Sequence, residues 1–406
     1  MPESLPRLRL DLDFMPSPDP ERPGLLIRDP YHYSDAALIV PPALVPCLQM
    51  LDGERTDLDM REALVELTGE LEVGELQNRL LSVLSEAGFL HDDVHTRMKR
   101  AQHDAFAQAP ERLAAFAGAA YPAEVGALKA TLAGWLDGNA APRDGRPLIG
   151  IAAPHVSPEG GASCYGSAYG SLGAEYANRT FVILGTSHYG EPERFGLTRK
   201  PFVTPLGRAV TDTALVDRLV AEGGPAVAME DYCHAVEHSI EFQVVFLQHL
   251  FGPEVKILPI LCGPFARSVH EQTRPEDDAG VEKFLCALAA LAASERDRLF
   301  WVLGIDLAHM GRRYGDAFAV EAGEGQMVSV GAQDRARLQC LTAGDIDGFW
   351  ADVQRDSDPL KWCGSAPLYA FLRAVPAARA EVLRYAQWNI DPQSVVTFSA
   401  LGFREA

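Results

Sequence analysis

Polar side chains that can bind metals or move protons follow four apolar runs beyond residue 147. His155 ends PLIGIAAPH, His188 ends FVILGTSH, KILPILCG contains Cys262, and LFWVLGIDLAH contains Asp306 and His309. The carboxyl ends of parallel strands open into the ligand crevice of an α/β sheet, so we expect these groups to meet in one site. Imidazole, carboxylate and thiolate groups gathered in this way suit a metal centre or acid–base catalysis.

A second group of candidates lies in the segment EHSIEFQVVFLQHLFG, which is predicted to be a long helix ending at Gly252. Its first turn would carry Glu237, His238 and Glu241. Spacings of three and four residues place side chains on one helix face, so the three groups are expected to lie within reach of one another. They could serve as metal ligands, as acid–base groups or as residues that orient other ligands.

One of the seven cysteines stands out by its position. KWCGSAPLYAFL places Cys363 and Gly364 ahead of an apolar helix, and a thiol at a helix N-terminus tends to have a lowered pKa. The alternative for Cys363 is that of a small buried hydrophobe. Cys262 directly follows an apolar strand and is expected to pack there, while Cys164 is expected in a Gly/Ser-rich loop.

The elements that must position these residues are predicted from the apolar pattern. The run Phe181 to Leu184 shows no polar alternation, which is typical of a strand covered on both faces. From Leu148 onward such strands alternate with helical segments. This order predicts an α/β fold with a doubly wound, mostly parallel sheet and helices on both faces.

Residues 1–95 are predicted to form a separate, small helical module with a winged-helix pattern. Thr56 and Asp57 are positioned to cap one helix, and Gly88 is expected to end the next. The pattern resembles the PqqD-like peptide-recognition modules. The module contains seven Arg, no Lys and nineteen acidic residues, a formal net charge of −12. This charge disfavours duplex DNA, so a peptide or protein is the expected partner.

Charge and composition narrow the function of the whole chain. A formal net charge of −20 over 406 residues disfavours nucleic acid and anionic membranes as partners. No apolar run suits a signal peptide or a membrane span. The cysteines lack paired spacing, which indicates reduced thiols. We therefore expect a cytoplasmic protein, with residues 96–111 linking the N-terminal module to a second domain over residues 112–406.

Ordered motifs in this second domain identify a family. The strings APH, LGTSH, TPLGRAVTD, EHSIEFQ, ILPILCG, DLAHMGRRYG, WCGSAPLYAFL and RYAQW resemble, in order and context, the Memo family, called AmmeMemoRadiSam system protein B in many microbes. The resemblance covers roughly residues 112–403. It implies a fold akin to class III extradiol dioxygenases, which open catechol rings using non-haem iron.

The resemblance also implies roles for individual residues. The metal ligands fall on His155, His188 and Cys363, and further pocket residues fall on Asp306 and His309. Fe(II) is the expected metal, although a thiolate ligand also suits Cu or Zn. His309 would be the general acid or base, with Asp306 either orienting it or organising the site beside it. Alternatively, Asp306 caps a following helix and His309 bonds a nearby carbonyl.

A different enzyme class is indicated by the segment HAVEH. It runs from His234 to His238 and matches H-x-x-E-H, in which two histidines bind zinc and the glutamate acts as base of a peptidase. That interpretation leaves His155, His188 and Cys363 without a role.

A third alternative is non-enzymatic. The chain would then be an iron- or copper-binding or partner-binding protein that retains an oxygenase pocket. The resemblance implies a radical SAM protein or an AMMECR-like protein as a partner, and the small-molecule substrate remains open.

Overall fold

The computed structural model of the chain describes residues 4–139 and 146–406. The chain divides after Gln108 into an N-terminal unit, Met1–Gln108, and a second unit, Ala109–Ala406. Within the described ranges, no helix combines the length and apolar character that a membrane span needs.

The N-terminal unit contains a small antiparallel sheet with the strand order β1–β2–β3, followed by helices. In chain order its elements are β1 (Asp13–Pro16), β2 (Leu25–Arg28), β3 (Ala37–Val40), α1 (Val45–Leu48), α2 (Asp57–Thr68), α3 (Gly74–Glu86) and α4 (Asp93–Gln108).

Both predicted helices of this unit are confirmed. Thr56 caps α2 through a capping box with Asp59, and Gly88, at φ +73°, follows the end of α3. The sheet was not predicted, because its strands are only four residues long and carry no clear alternation. The winged-helix interpretation stays a prediction.

The expectation of a linker over residues 96–111 is wrong for most of that range. Helix α4 continues to Gln108, and the division between the units follows it directly. The polar composition that suggested a linker belongs to an exposed helix, in which only Phe106 is buried. A helix surrounded largely by water needs few apolar residues, so composition alone did not distinguish it from a loop.

The second unit is a mixed α/β domain built on a large sheet. In chain order its strands and α-helices are β4 (Arg112–Leu113), α5 (Val125–Leu136), β5 (Gly150–Ala153), α6 (Pro158–Tyr169), β6 (Thr180–Thr186), β7 (Phe195–Leu197), β8 (Phe202–Thr204), β9 (Gly207–Thr211), α7 (Thr213–Glu222), β10 (Val227–Met229), α8 (Cys233–Val236), α9 (Glu241–Phe251), β11 (Lys256–Cys262), α10 (Ala266–Glu271), α11 (Ala279–Ser294), β12 (Leu299–Gly304), β13 (His309–Gly311), α12 (Gln326–Ala343), α13 (Ile346–Gln354), α14 (Ser365–Ala374), β14 (Ala378–Asp391) and β15 (Ser394–Glu405).

The centre of the sheet is parallel, as predicted. Strands β5, β12, β6 and β11 are neighbours in that order, and each neighbouring pair runs in the same direction. These are the four apolar runs singled out in the sequence. The long hairpin of β14 and β15 extends the sheet beyond β5 in antiparallel fashion. The carboxyl ends of the four central strands therefore lie along one edge of the sheet.

Helices cover both faces of this sheet, so each central strand contributes to two cores. In β6, Val182 and Leu184 join a core that includes residues of α7, α11 and α14, whereas Phe181 and Ile183 join a core with residues of α5, α6 and α9. Successive side chains of a strand point to opposite faces, which explains why an unbroken apolar run was needed. The doubly wound architecture is confirmed.

Glycines at two strand ends let the chain approach the sheet closely. Gly185 is the second-last residue of β6, and Gly304 is the last residue of β12. A Cβ at Gly185 would lie 2.5 Å from Ser239 Oγ, and one at Gly304 would overlap the carbonyl oxygen of Ser239. The segment that precedes α9 therefore rests directly on two neighbouring strand ends.

We predict that Gly304→Ala destabilises the second unit by about 1–3 kcal/mol, because the added methyl group must displace backbone. Urea unfolding followed by tryptophan fluorescence measures this unit selectively, since all five tryptophans lie in it. The matched control is Gly134→Ala in α5, where an added Cβ meets nothing within 4 Å and should stabilise by up to about 1 kcal/mol. Equal effects of the two substitutions would contradict the close approach.

Candidate metal centre

Three imidazoles converge beyond the carboxyl ends of the central strands. His155 lies two residues past the end of β5 and His188 two residues past the end of β6, while His238 lies three residues before α9. Each offers one ring nitrogen such that the three atoms lie within 4.8 Å of one another. The ring centroids are 4.9 Å apart for His155 and His188, 5.1 Å for His155 and His238, and 5.0 Å for His188 and His238.

Hydrogen bonds to oxygen atoms hold Nδ1 of two of the rings. His155 Nδ1 lies 2.9 Å from the carbonyl oxygen of Gly304, and His188 Nδ1 lies 3.0 Å from Glu237 Oε2. A carbonyl or carboxylate oxygen accepts, so each Nδ1 carries the proton and donates it. Nε2 of each ring is then the nitrogen that can bind a metal, once the metal has displaced any proton it carries.

Glu237 orients one of the three imidazoles and lies near a second. Its buried carboxylate accepts hydrogen bonds from the backbone N–H of His188 and from that of Tyr189, the latter at 3.3 Å. The same carboxylate lies 3.8 Å from His238 Nδ1. The expectation that Glu237 takes part in the site therefore has a geometric basis, because its carboxylate orients His188.

The segment that carries Glu237 and His238 is not helical, which corrects the predicted helix start. Helix α9 begins at Glu241, and Glu237 has extended backbone angles. The side chain of Glu241 does not meet the other two. It is buried against Arg112 and accepts hydrogen bonds from the N–H groups of Ala115 and Phe116, at 2.9 and 3.0 Å.

Arg112 holds this segment in place and was not recognised in the sequence. Its fully buried guanidinium donates to the carbonyl oxygens of His234 and Glu237, at 2.8 and 2.9 Å, and pairs with Glu241. These bonds hold both ends of the stretch from His234 to Glu237, which leads from α8 into the non-helical segment before α9. No local pattern identifies Arg112, since its partners lie more than 120 residues away along the chain.

Cys363 lies beside the imidazoles, at the expected helix start. It precedes α14 by two residues, and its sulfur is 3.3 Å from His155 Nε2. Burial opposes the thiolate, but His155 and His188 outweigh that effect and lower the pKa of Cys363 to about 7. Gly364 allows this approach, because a Cβ there would lie 2.6 Å from the carbonyl oxygen of Asp306.

Asp306 organises the site through His155 rather than through His309. It is buried two residues past the end of β12, and its Oδ1 accepts the backbone N–H of His155 at 3.0 Å. Burial raises the pKa of Asp306 to about 6, although His309 and the N–H of His155 favour its charged form. The alternative that Asp306 caps a helix is wrong, since β13 follows it.

The ring of His309 is oriented by backbone carbonyls. Its Nδ1 lies 3.0 Å from the carbonyl oxygen of Leu307 and 3.2 Å from that of Lys361. Burial lowers the pKa of His309, and the nearby charge of Asp306 offsets this only in part. A neutral ring with its proton on Nδ1 leaves Nε2 able to accept a proton. The carbonyl contact and an acid–base role are thus compatible.

The surroundings shift the pKa values of His188 and His238 in opposite directions. Burial would lower the pKa of His188, but Glu237 and Cys363 outweigh it and raise that pKa well above its ordinary value. Burial, together with repulsion from His188 and His155, lowers the pKa of His238 well below its ordinary value. The anionic groups beside the histidines therefore favour one added positive charge in this space, as a bound cation would supply.

Several other sequence candidates lie apart from this site. His234 is buried in α8 with its Nε2 3.1 Å from the carbonyl oxygen of Gly196, and burial lowers its pKa to about 4. It is not among the three clustered imidazoles, so HAVEH does not supply the two ligands of a zinc peptidase. Cys262 packs in an apolar core, as expected. Cys164 lies in α6 rather than in a loop, where burial raises its pKa to about 12.

Comparisons with known proteins agree on one family. The family model described as "Memo-like protein" matches residues 112–401. A "MEMO1 family protein" of Aquifex aeolicus is 27% identical over 382 residues, which cover 93% of this chain and 95% of that protein. A "MEMO1 family protein" of Methanosarcina acetivorans is 28% identical over 228 residues, which cover 55% and 74% of the two chains. The match to the Aquifex protein covers so much of this chain that it must include part of the N-terminal unit. The similarity therefore extends beyond the domain that the motifs identified.

We predict that Arg112→Met destabilises the second unit by about 3–5 kcal/mol, because it leaves Glu241 as an unpaired buried charge. Tryptophan fluorescence during urea unfolding measures the loss. Arg199→Met is the control, since Arg199 and Asp217 form an ion pair with 43% and 56% of their side chains exposed, and it should cost less than about 1 kcal/mol. Similar losses in both variants would contradict the role given to Arg112.

Proposed function

Because this chain belongs to the Memo-like protein family, we propose that its second unit binds a single metal through His155, His188 and Cys363. We further propose that the metal is Fe(II) and that the protein is a dioxygenase-type oxidoreductase acting on a small, catechol-like diol. The observation that carries the proposal is the meeting of two histidines, each with Nδ1 committed to an oxygen acceptor, with a thiol of lowered pKa.

The donor set fits a transition metal. Two imidazole nitrogens and a thiolate provide three ligands, and each histidine has its other nitrogen committed to an oxygen acceptor. Non-haem iron held by three protein ligands keeps open positions at which a diol and O₂ can be brought together. Cu and Zn are the competing metals, because a thiolate is a softer ligand than the carboxylate usual in such iron sites.

Two further histidines are proposed to move protons. His309, with its proton on Nδ1, can accept a hydroxyl proton of the diol at Nε2 and return it later in the reaction. The lowered pKa values of His309 and His238 keep both rings neutral at pH 7. Asp306 supports the site by holding the backbone of His155, and Glu237 supports it by orienting His188.

A second candidate function is favoured by the position of His238. Its ring lies within ligand distance of the other two imidazoles, so His238 and Cys363 could both bind the metal. Four protein donors are typical of closed sites that have no open position for a substrate. The protein would then bind or carry iron or copper without catalysis.

Replacement of Cys363 separates these functions. We predict that Cys363→Ala abolishes the thiolate-to-metal charge-transfer absorption of the Co(II)-loaded protein and most of its metal affinity. Cys262→Ala and Cys164→Ala should keep both, because these thiols are buried in apolar cores. A Cys363→Ala protein with unchanged spectrum and affinity would show that the third ligand is a different residue, with His238 the first to test.

Catalysis is tested with the intact protein loaded anaerobically with Fe(II). Oxygen uptake in the presence of catechol-like diols would support the dioxygenase proposal. Stoichiometric binding of iron without any uptake across a broad diol panel would contradict it and support the second candidate function.

Glu237→Gln should lower metal affinity by about 10–100-fold, because it removes the carboxylate that orients His188. Competition of the protein with a metal-binding dye measures the affinity. The control is Glu222→Gln, since Glu222 lies exposed at the end of α7 and pairs only with Arg218 among the contacts described. An unchanged affinity in Glu237→Gln would contradict the orienting role.

A further inference from the structure

A buried carboxylate in the middle of α12 connects two of the segments that form the site. Asp334 is fully buried and accepts three hydrogen bonds from side chains outside its own helix. Trp362 Nε1, Tyr385 Oη and Thr397 Oγ1 each donate to it at 2.7 Å. A charged group in an apolar core is costly unless its oxygens are satisfied, and here both oxygens are.

The first of these donors belongs to the loop that carries Cys363. That loop has an unusual backbone, because four non-glycine residues, at 356, 357, 358 and 361, have φ values between +52° and +59°. Side chains with a Cβ are disfavoured in this left-handed region, so the surroundings must impose the conformation. Trp362 lies between the last of these residues and Cys363.

A second residue of α12 also contacts the loop that carries Cys363. Arg337, one helical turn after Asp334, pairs with Asp358 at 2.7 Å, and its guanidinium lies 5.3 Å from the centre of the Trp362 ring. The other oxygen of Asp358 accepts the backbone N–H of Trp362 at 2.8 Å. The indole of Trp362 is thus held by Asp334 and its backbone by Asp358, immediately before the thiol.

Another of the three donors, Thr397, connects Asp334 to the segment between Asp306 and His309. Thr397 Oγ1 donates to Asp334 and accepts the backbone N–H of Ala308 at 2.8 Å. The backbone of Thr397 also exchanges hydrogen bonds with Leu307 and Ala308. The carboxylate therefore connects the Cys363 loop to the His309 segment through one intervening side chain on each side.

We propose that Asp334 is a positioning residue that sets the Cys363 loop against the segment carrying Asp306 and His309. The inference rests on the proposed function only in the roles given to Cys363 and His309. Trp362 and Thr397 transmit the position of Asp334, and neither touches the proposed metal or substrate.

Three conservative variants test this proposal because they remove one donor each. Trp362→Phe removes the bond to the Cys363 loop, and Thr397→Val removes the bond to the His309 segment. Tyr385→Phe removes the third bond to the same carboxylate, but β14, which carries Tyr385, contributes no residue to the site. It is therefore a matched control for general loss of stability. Asp334→Asn should affect both segments at once.

Hydrogen exchange of the full-length, metal-free protein gives the primary measurement. Trp362→Phe should speed exchange about tenfold in the Cys363 loop, where the amides of Lys361, Trp362, Gly364 and Ser365 are hydrogen-bonded. It should leave residues 307 and 308, whose amides donate to Thr397, within about twofold of the wild type. Thr397→Val should give the converse pattern, and Tyr385→Phe should change neither segment. Equal acceleration in Tyr385→Phe and Trp362→Phe, or none in Trp362→Phe, would overturn the proposal.

The Co(II)-loaded protein provides a second, independent measurement. Trp362→Phe should shift or weaken the thiolate charge-transfer band, whereas Tyr385→Phe should leave it unchanged. An identical band in Trp362→Phe and wild type would overturn the positioning role. A wild-type protein without the band would contradict Cys363 as a ligand, and hydrogen exchange would then decide the role of Asp334 without reference to a metal.

Discussion

The candidate centre depends most on the hydrogen bonds that the buried carboxylate of Glu237 makes with His188. This carboxylate accepts hydrogen bonds from the backbone and ring of His188, and it lies 3.8 Å from His238 Nδ1. Arg112 holds the carbonyl oxygen of Glu237, in the non-helical segment that precedes α9. A buried arginine at the start of the domain therefore supports the segment that carries Glu237 and His238.

A second constraint is that the segments carrying the site residues must approach the ends of the sheet strands closely. Gly185 and Gly304 let the segment before α9 rest on two strand ends, and Gly364 lets the Cys363 loop rest against the backbone that follows β12. Each glycine stands where a methyl group would meet backbone or a firmly packed side chain. The side chains of the centre therefore reach one another from separate strands and loops, and each depends on packing that its own sequence neighbours do not show.

The sequence predicted the parts of this structure that depend on local pattern. Unbroken apolar runs identified the four central strands, and their shared carboxyl edge correctly brought His155, His188 and Asp306 together. The position of Cys363 ahead of an apolar helix made it a candidate, the family motifs made it a ligand, and it lies beside His155. The late start of α9 was not predicted from the local pattern, and Arg112, which holds the segment before it, lies 125 residues earlier than Glu237.

The central claim is that two imidazoles and one thiolate hold a single metal. X-ray absorption spectroscopy at the iron edge of the protein, loaded anaerobically with one equivalent of Fe(II), tests it most directly. We expect one sulfur scatterer together with imidazole nitrogens among the atoms bound to iron, and loss of that sulfur in Cys363→Ala. A wild-type spectrum explained by nitrogen and oxygen alone would contradict the claim and indicate a centre built from His155, His188 and His238.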